Sequence, residues 1–319
     1  MLIITDNIEF ANVYLHNIPE FRNYVLSDES KALEPPLQYL IEQMDLHEKY
    51  FFIECNNQKH PENSLFDYLF LIENANGSHY DLLIDTAHKF KDIKLNILCL
   101  AGKGNKFHGF RNRHWESLSG NIHLSVLLSP NRFIENFAVG FLVLSAVSVV
   151  QTIDEIEGLR NVAHIKWVND IVMAGAKVSG VLAQTLIQGE RVKNAILGIG
   201  LNVESKPQIE ATPFVPSTAC LKDFAKDDKF CSQVIVVDKL VTNIRNNYEI
   251  LLSKGIKPLL EFYKSRSIII GKKVRIWSDE YTGKSEIVCE GIVKHIGDNL
   301  ELTIQGYEHP IVSGRLELL

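Results

Sequence analysis

A lysine, an amide and a carboxylate lie close together at one predicted junction between a strand and a turn. Lys166 lies at the end of an apolar strand, and Asn169 and Asp170 follow at once. A lone lysine on a two-faced strand usually points to solvent, but the three groups together suit a site that holds a triphosphate, a metal ion and a carboxylate. An ammonium group can offset negative charge that develops on a phosphoryl group. The carboxylate of Asp170 can hold Mg²⁺ directly or through water.

A second segment whose residues could bind a ligand ends another apolar strand. Gly198 and Gly200 are followed by Asn202. Glycines at a strand end let a backbone or a ligand approach closely, and the asparagine offers an oxygen to a metal or an amide to a phosphate. Taken alone, the segment is more typical of a strand packed tightly against its neighbour.

The elements that must position these residues predict an α+β fold with a mixed, mainly antiparallel sheet packed with helices. We predict helices from residue 78 to about 87, and over 133–151, 234–252 and 259–264. Short turns join four consecutive strands after residue 160, and tight turns make antiparallel pairs, so this part is a meander and no dinucleotide-binding unit. The predicted strands of this part of the chain are 70–72, 95–100, 122–128, 164–167, 171–173, 177–184 and 193–203.

The chain divides into three predicted regions. Residues 1–63 form an appended region of unknown fold, with helical spacing over 37–44 and a strand at 50–54. Residues 64–268 form the catalytic domain. Residues 269–319 form a small SH3-like β-barrel, with five short strands predicted at 273–277, 287–289, 291–296, 300–304 and 310–312.

Composition excludes several classes of partner. The 319 residues are 46% hydrophobic and 23% charged, which is typical of a soluble globular protein. The net charge of −6 gives no basic field for nucleic acid. The uncharged apolar run 137–150 is shorter than the roughly 20 residues of a bilayer span, so we expect a buried helix and no membrane association. Five cysteines without a CxxC pair indicate reduced thiols in the cytoplasm.

Three motifs together resemble the catalytic core of the biotin and lipoate protein ligases. KWVNDI (166–171), KVSGVLAQ (177–184) and GIGLNV (198–203) follow one another in the order of the family patterns KWPND, K-[IL]-[AS]-G-[IV]-L and GIG-[IL]-N-V. Val168 replaces the proline of the first pattern. Two further segments, PSTACL (216–221) and VSGRLE (312–317), are similar to the biotin protein ligases. The resemblance covers residues 64–319.

The resemblance implies a fold like that of class II aminoacyl-tRNA synthetases and a two-step reaction. ATP and Mg²⁺ activate biotin as biotinyl-5'-AMP, and a lysine of the carboxyl carrier domain of a biotin-dependent carboxylase takes the biotin. A homodimer is possible for this family. Lys166 and Asp170 would be catalytic, and Asp170 and Asn202 would hold Mg²⁺. The residues that would bind ATP and the acyl-adenylate are Gly102, Lys103, Gly104, Arg111, Arg113, Trp115, Asn169, Lys177, Gly180, Gly200 and Asn202.

One loop departs from the family pattern GRGRxGRxW. The chain has GKGNKFHGFRNRHW over 102–115. Aligned on Trp115, the second arginine of the pattern falls on Phe110; aligned on Gly102, it falls on Asn105. Arg111, Arg113 and Lys103 remain as phosphate contacts, and arginine binds phosphate oxygens in bidentate fashion. We expect this loop to be mobile without ligand and ordered by the adenylate.

The altered loop leaves alternatives open. A lipoate or octanoate protein ligase or transferase shares the three motifs, although the C-terminal barrel favours biotin. A homologue that binds biotin without turnover is a second alternative. A biotin-responsive repressor is a third, against which the acidic N-terminal region argues.

Overall fold

The structure is a computed structural model that describes residues 1–17, 24–27, 33–46, 50–55, 65–278 and 286–319. Within these ranges the main sheet has ten strands. They are β1 (Leu2–Thr5), β2 (Tyr24–Ser27), β3 (Phe51–Cys55), β4 (Tyr68–Ala75), β5 (Ile97–Gly104), β6 (Ile122–Leu128), β7 (Ala163–Lys166), β8 (Asp170–Met173), β9 (Ala176–Gln188) and β10 (Arg191–Leu201).

The main sheet is mixed and mainly antiparallel, which confirms the predicted fold class. Its strand order is β2-β3-β1-β4-β5-β6-β10-β9-β8-β7. β1 pairs with β4, and β4 with β5, in parallel. The remaining neighbours in the order β5-β6-β10-β9-β8-β7 pair antiparallel. Within this part, β7, β8, β9 and β10 form the predicted meander.

Helices cover both faces of the sheet. The structure describes α1 (Ile8–Asn17), α2 (Pro35–Gln43), α3 (His79–Lys89), α4 (Phe137–Asp154), α5 (Gln233–Lys254) and α6 (Lys257–Ser265). α4 packs between the sheet and α5, and α2 and α3 share a second core cluster on the other face. The side-chain oxygen of Ser78 accepts from the backbone N–H of Asp81 and caps α3, so the predicted start of this helix is confirmed.

α4 is the predicted buried helix. By length and composition its 18 residues could cross a membrane, with a mean hydropathy of 1.8, but most of its side chains are buried in the core. The hydroxyl groups of Ser145 and Ser148 donate to the carbonyl oxygens of Phe141 and Leu144 at 2.9 and 2.8 Å. The hydroxyl groups of these two buried serines therefore have acceptors within the helix itself.

Residues of the N-terminal region extend the main sheet. β1 lies between β3 and β4 and pairs with both. The helix predicted over 37–44 is α2, and the strand predicted at 50–54 is β3. The division of the chain at residue 63 stays a prediction. Strands from both sides of this boundary belong to the same sheet, because β1 pairs with β4.

The C-terminal region forms a four-stranded sheet in the order β13-β12-β11-β14, consistent with an SH3-like domain. Its strands are β11 (Lys273–Trp277), β12 (Ile287–Ile296), β13 (Leu302–Ile304) and β14 (Arg315–Leu318). The two strands predicted at 287–289 and 291–296 are one continuous strand, so their separation was wrong. A side chain at Gly291 would lie 2.7 Å from the carbonyl oxygen of Gln305, so the glycine permits close packing rather than a turn.

The strand predicted at 310–312 was also wrong. In this segment Ile311 bridges to Leu302, and the last strand is β14, which pairs with β11. The apolar pair Ile311 and Val312 suggested a strand, but Val312 is 77% exposed and only Ile311 packs inward. The edge of the C-terminal sheet is therefore formed by the segment that carries Arg315.

Candidate functional site

The strand register brings the three motifs to one line across the main sheet. Lys166 lies opposite Asp170, Asp170 opposite Gly180, Gly180 opposite Gly200, and Gly200 opposite His123. Residues directly opposite on neighbouring antiparallel strands have their side chains on the same face. We call these five residues the site row. Segments far apart in the sequence thus become neighbours on one face.

A cavity lies over the site row, on the face that carries α3. Two segments border it: residues 107–115, here called the hairpin, and residues 205–218, here called the strap. Arg315 reaches it from β14. The predicted binding residues that line the cavity are Arg113, Trp115, Asn169, Asp170, Lys177, Gly180, Gly200 and Asn202.

Lys177 and Asp170 form an ion pair in the cavity wall. The ammonium nitrogen of Lys177 lies 2.6 Å from Oδ1 of Asp170, and about a fifth of each side chain is exposed. A side chain at Gly180 would lie 3.3 Å from this ammonium nitrogen, so the glycine leaves room for the pair. The same ammonium lies 5.8 Å from the centroid of the Trp115 ring. The pair places one positive and one negative group at the cavity surface.

Lys166 belongs to the site row but is not among the residues that line the cavity. Its side chain is buried, and its ammonium group donates to the carbonyl oxygen of Phe214 in the strap. Burial lowers the pKa of Lys166; Lys177 and Arg315 lower it further, while Asp170 and Glu317 raise it. An ammonium group has three donors, so Lys166 can keep the Phe214 contact and still donate to a ligand.

The turn that follows Lys166 is held from three other parts of the chain. The indole N–H of Trp167 donates to the carbonyl oxygen of Leu300 at 2.7 Å. The hydroxyl group of Tyr263 donates to the carbonyl oxygen of Val168 at 2.9 Å. The amide of Asn169 donates to the carbonyl oxygen of Val181 at 2.8 Å, and the N–H of Val181 donates back. α6, the turn between β12 and β13, and β9 therefore fix the first motif together.

Asn202 presents a buried acceptor at the cavity. Its side chain is 1% exposed, and its amide donates to the carbonyl oxygen of Ala219 at 3.0 Å. Among the described residues Oδ1 of Asn202 has no hydrogen-bond partner. Leaving a buried acceptor unsatisfied costs about 1–3 kcal/mol, so this atom fits a role in ligand or metal contact.

The donor set fits Mg²⁺ better than a metal held by protein alone. Oxygen ligands come from the carboxylate of Asp170 and the amide of Asn202, and Mg²⁺ is usually bound by one or two such groups together with phosphates and water. The described part of the chain contains no cluster of three His, Cys, Asp or Glu side chains that could hold a metal. Phosphate oxygens would therefore have to complete the coordination.

Trp115 packs closely against Gly200 of the site row. A side chain at Gly200 would lie 2.5 Å from two atoms of the indole ring. The indole N–H donates to Nδ1 of His123 at 3.3 Å, and Nε2 of His123 lies 3.0 Å from the carbonyl oxygen of Leu118. A carbonyl only accepts, so we assign the proton to Nε2. Burial lowers the pKa of His123 to about 4, and the ring is neutral at pH 7.

The hairpin has backbone hydrogen bonds and two aromatic anchors. The N–H of Gly109 donates to the carbonyl oxygen of Arg113 at 2.7 Å, and the N–H of Trp115 to that of Phe107 at 3.0 Å. Phe107 is buried against the His123 ring. The predicted mobile loop thus has apolar anchors at residues 107 and 115, and its ordering by ligand stays a prediction.

Four predicted phosphate or adenylate contacts lie outside the cavity lining: Gly102, Lys103, Gly104 and Arg111. A side chain at Gly102 would lie 2.8 Å from the carbonyl oxygen of Glu73, and one at Gly104 would lie 2.6 Å from that of Ala75. These two glycines therefore serve close packing of β4 and β5. The guanidinium group of Arg111 lies 5.4 Å from the centroid of the exposed Phe110 ring.

His108 ties the hairpin to α3. Its Nε2 lies 2.7 Å from Oδ2 of Asp81, and its Nδ1 lies 3.0 Å from the carbonyl oxygen of Gly109. Both partners only accept, so both ring nitrogens donate only in the charged form. Partial burial opposes that charge, but the hydrogen bonds to Gly109 and Asp81 outweigh it and raise the pKa of His108.

Protection of the hairpin is expected to fall as the pH rises. Because the pKa of His108 is raised in the folded state, the pair with Asp81 contributes fully below about pH 6.5, the ordinary pKa of histidine, and is lost above the raised pKa. Amide hydrogen exchange of residues 108–114, corrected for intrinsic rates, should show stronger protection at pH 6 than at pH 8. The Asp81→Asn variant should remove the difference. Equal protection of the wild-type hairpin at both values would contradict the assignment.

Sequence reasoning missed several groups at the cavity. Pro207, Ile209 and Thr212 of the strap line it, and so does Arg315. The guanidinium group of Arg315 lies 3.6 Å from the centroid of the Phe214 ring. The VSGRLE segment that carries Arg315 was recognised only as a part of the terminal barrel. No local pattern marks residues 205–215 of the strap, and only its last three residues belong to the PSTACL segment.

Comparisons with known proteins agree with the motifs and the fold. Residues 84–202 match the model of the biotin/lipoate A/B protein ligase family. The bifunctional ligase/repressor BirA of Bacillus subtilis is 27% identical over 203 residues, which are 62% of this chain and 61% of that protein. The biotin–[acetyl-CoA-carboxylase] ligase of Mycobacterium tuberculosis is 26% identical over 206 residues, 61% of this chain and 68% of that one.

The fold is that of a solved biotin protein ligase. The structure of the Aquifex aeolicus enzyme in complex with biotin and ATP has a TM-score of 0.59 and 21% identity, and covers 80% of this chain and 99% of that one. This chain spans less than two thirds of the length of several curated relatives.

The sheet, the helical layers and the cavity over the site row define a protein with the ligase fold of this family. Residues 84–202 match the model of the biotin/lipoate A/B protein ligase family, and the predicted resemblance to the biotin protein ligases is confirmed.

Proposed function

We propose that the chain is an ATP-dependent biotin–protein ligase, which forms biotinyl-5'-AMP and transfers biotin to a lysine of a carboxyl carrier domain. The observation that carries the proposal is the convergence of Asp170, Lys177 and the unpaired oxygen of Asn202 on one cavity. A carboxylate, an ammonium group and a buried acceptor suit a nucleotide, its metal and an acid together.

In the first step a carboxylate oxygen of biotin attacks the α-phosphorus of ATP, a new P–O bond forms, and pyrophosphate leaves. Negative charge grows on the α-phosphoryl oxygens and on the leaving group. Lys166 and Lys177 are the ammonium groups that would offset it. Mg²⁺, held by Asp170 and Asn202, would neutralise phosphate charge.

In the second step the amine of the carrier lysine attacks the acyl carbonyl carbon, an amide bond forms, and AMP leaves. The proton of the amine passes to solvent. The chain's contribution is to hold the mixed anhydride in a fixed orientation and away from bulk water. The hairpin and the strap, which border the cavity on two sides, are the segments that would enclose it.

Phe110 is the reason to test the alternative functions of this chain. It stands where one alignment expects the second arginine of the loop pattern, and it is 48% exposed. A lipoate or octanoate ligase, or a homologue that binds biotin without turnover, would each have reason to lose that arginine. BirA of Bacillus subtilis is named a ligase and repressor, but the acidic charge of this chain gives no support to DNA binding.

The deciding experiment measures ligand binding and turnover separately. Thermal unfolding with Mg-ATP plus biotin, lipoate or octanoate identifies the acid, because a ligand at 100 times its Kd stabilises the folded state by about 2.7 kcal/mol. Pyrophosphate release with the same acids then reports catalysis. Stabilisation by biotin without pyrophosphate would identify the non-catalytic homologue, and pyrophosphate with lipoate alone would overturn the choice of biotin.

The partner and the compartment are part of the same proposal. A carrier domain of a biotin-dependent carboxylase would present its lysine at the open side of the cavity. Cys99, Cys220, Cys231 and Cys289 are free and buried, which supports the cytoplasm as the compartment. Homodimer formation stays a prediction.

A further inference from the structure

One buried asparagine organises the backbone that follows Asn202. Asn121 is 0% exposed. Its Oδ1 accepts from the N–H groups of Val203, Glu204 and Ser205 at 2.9, 3.2 and 3.0 Å. Its Nδ2 donates to the carbonyl oxygen of Ser205 at 2.8 Å. One side chain thus satisfies four backbone groups of three consecutive residues.

The turn held by Asn121 is also fixed from α5. The carbonyl oxygen of Asn121 accepts from Nε2 of Gln233 at 2.5 Å. Glu204 accepts at 2.8 Å from the N–H of Gln233, the first residue of α5, and pairs with Lys222 at 3.0 Å. Residues 203–205 therefore have a single path, set by β6 on one side and α5 on the other.

Two parts of the cavity begin at this turn. Asn202 immediately precedes it, with its unpaired Oδ1 at the cavity. The strap begins at Ser205, whose hydroxyl group donates to the carbonyl oxygen of Ser119 at 2.7 Å. The backbone of residues 203–205 joins Asn202 to the strap. A change in the path of these residues would therefore move both the Asn202 side chain and the start of the strap.

We propose that Asn121 is a positioning residue: by fixing residues 203–205 it holds Asn202 and the root of the strap in place for a nucleotide with its metal. The inference rests on the proposed function, in which Asn202 contacts Mg²⁺ and phosphate. Asn121 itself lies outside the cavity lining and acts through the turn. Loss of its side chain leaves the three N–H groups, of which that of Val203 is buried, without this acceptor.

The test compares Asn121→Ala with a matched control. Asn247 is equally buried, at 1% exposed, and its amide donates to Ser148 and Gln151 at 2.9 and 2.7 Å, within the contact of α4 and α5. Asn247→Ala should lower stability without changing the cavity. Calorimetry measures the binding of α,β-methylene-ATP with and without Mg²⁺, and of biotin alone.

We expect Asn121→Ala to weaken binding of the analogue in the presence of Mg²⁺ by about tenfold, the factor that about 1.4 kcal/mol of lost contact gives. The gain in affinity that Mg²⁺ gives should shrink, and biotin binding should stay within about twofold. Asn247→Ala should leave all three affinities unchanged. Asn121→Asp keeps an acceptor for the three N–H groups, so it should recover most of the lost affinity.

The outcomes separate the inference from the proposed function. If the wild-type chain binds the analogue and Asn121→Ala binds it equally well with Mg²⁺, the inference is overturned alone. If the wild-type chain does not bind the analogue, the proposed function is overturned together with the inference. Should Asn121→Ala fail to fold, Asn121→Ser carries the test, because the shorter side chain cannot keep the three hydrogen bonds of Oδ1: a loss of affinity confined to the Mg²⁺ condition supports the inference, and an unchanged affinity overturns it.

Discussion

Replacement of Lys166 by alanine is expected to lower the rate of adenylate formation by about 10²- to 10³-fold, the loss typical for removal of one preorganised group that stabilises transition-state charge. The ammonium group of Lys166 is buried, and burial strengthens its interaction with charge that develops nearby. Its carbonyl partner Phe214 is neutral, so the positive charge is available to the phosphoryl group. Binding of biotin alone should change little.

The fold should survive this substitution. Asp170 keeps its ion pair with Lys177, so no carboxylate is left buried without a partner. The measurement is pyrophosphate release with biotin and Mg-ATP, followed by transfer from chemically prepared biotinyl-5'-AMP to a carrier domain. Lys193→Ala is the control, because Lys193 pairs at 3.0 Å with Asp92 far from the site row. An unchanged rate of pyrophosphate release in Lys166→Ala would refute the catalytic role.

Local sequence patterns predicted the site because its three motifs lie on neighbouring strands that short turns connect. Tight turns after Met173 and Gln188 make a meander, and a meander with those lengths brings Asp170, Gly180 and Gly200 into register. The pairing of neighbouring strands is a local matter, so the second and third motifs meet the first without any long-range information. The sequence alone therefore predicts that the polar groups of the three motifs share one site.

Other contributors to the site depend on distant chain segments, and the sequence alone could not place them. Arg315 comes from the C-terminal sheet, and it reaches the cavity because β14 docks beside β11 and Phe214 packs under its guanidinium group. Asn121 acts through the backbone of residues 203–205. The glycines of β5 were predicted to bind ATP or the acyl-adenylate; they also allow close packing against β4, and the ligand contact stays a prediction. A glycine pattern alone does not distinguish strand packing from ligand contact.

Gly200→Ala is expected to lower kcat/KM for Mg-ATP and biotin by about 10²-fold, the cost of a misplacement of roughly 1 Å at a reaction centre. An added methyl group would lie 2.5 Å from two ring atoms of Trp115. The indole ring cannot move back freely, since its N–H is held by His123 at 3.3 Å. It must move into the cavity or lose this hydrogen bond, and either change alters the surface that the nucleotide and the acid share.

Gly77→Ala is the matched control for Gly200→Ala. A side chain at Gly77 would have no described atom within 4 Å, so the same addition of one methyl group should leave binding and turnover unchanged. Tryptophan fluorescence should report the displaced ring of Trp115 in Gly200→Ala, and thermal unfolding should show a loss of about 1–3 kcal/mol from overpacking. Full activity with an unchanged fluorescence spectrum would mean that the indole ring does not rest on Gly200. In that case the glycines of the site row would serve strand packing alone, and Trp115 would not form this wall of the cavity.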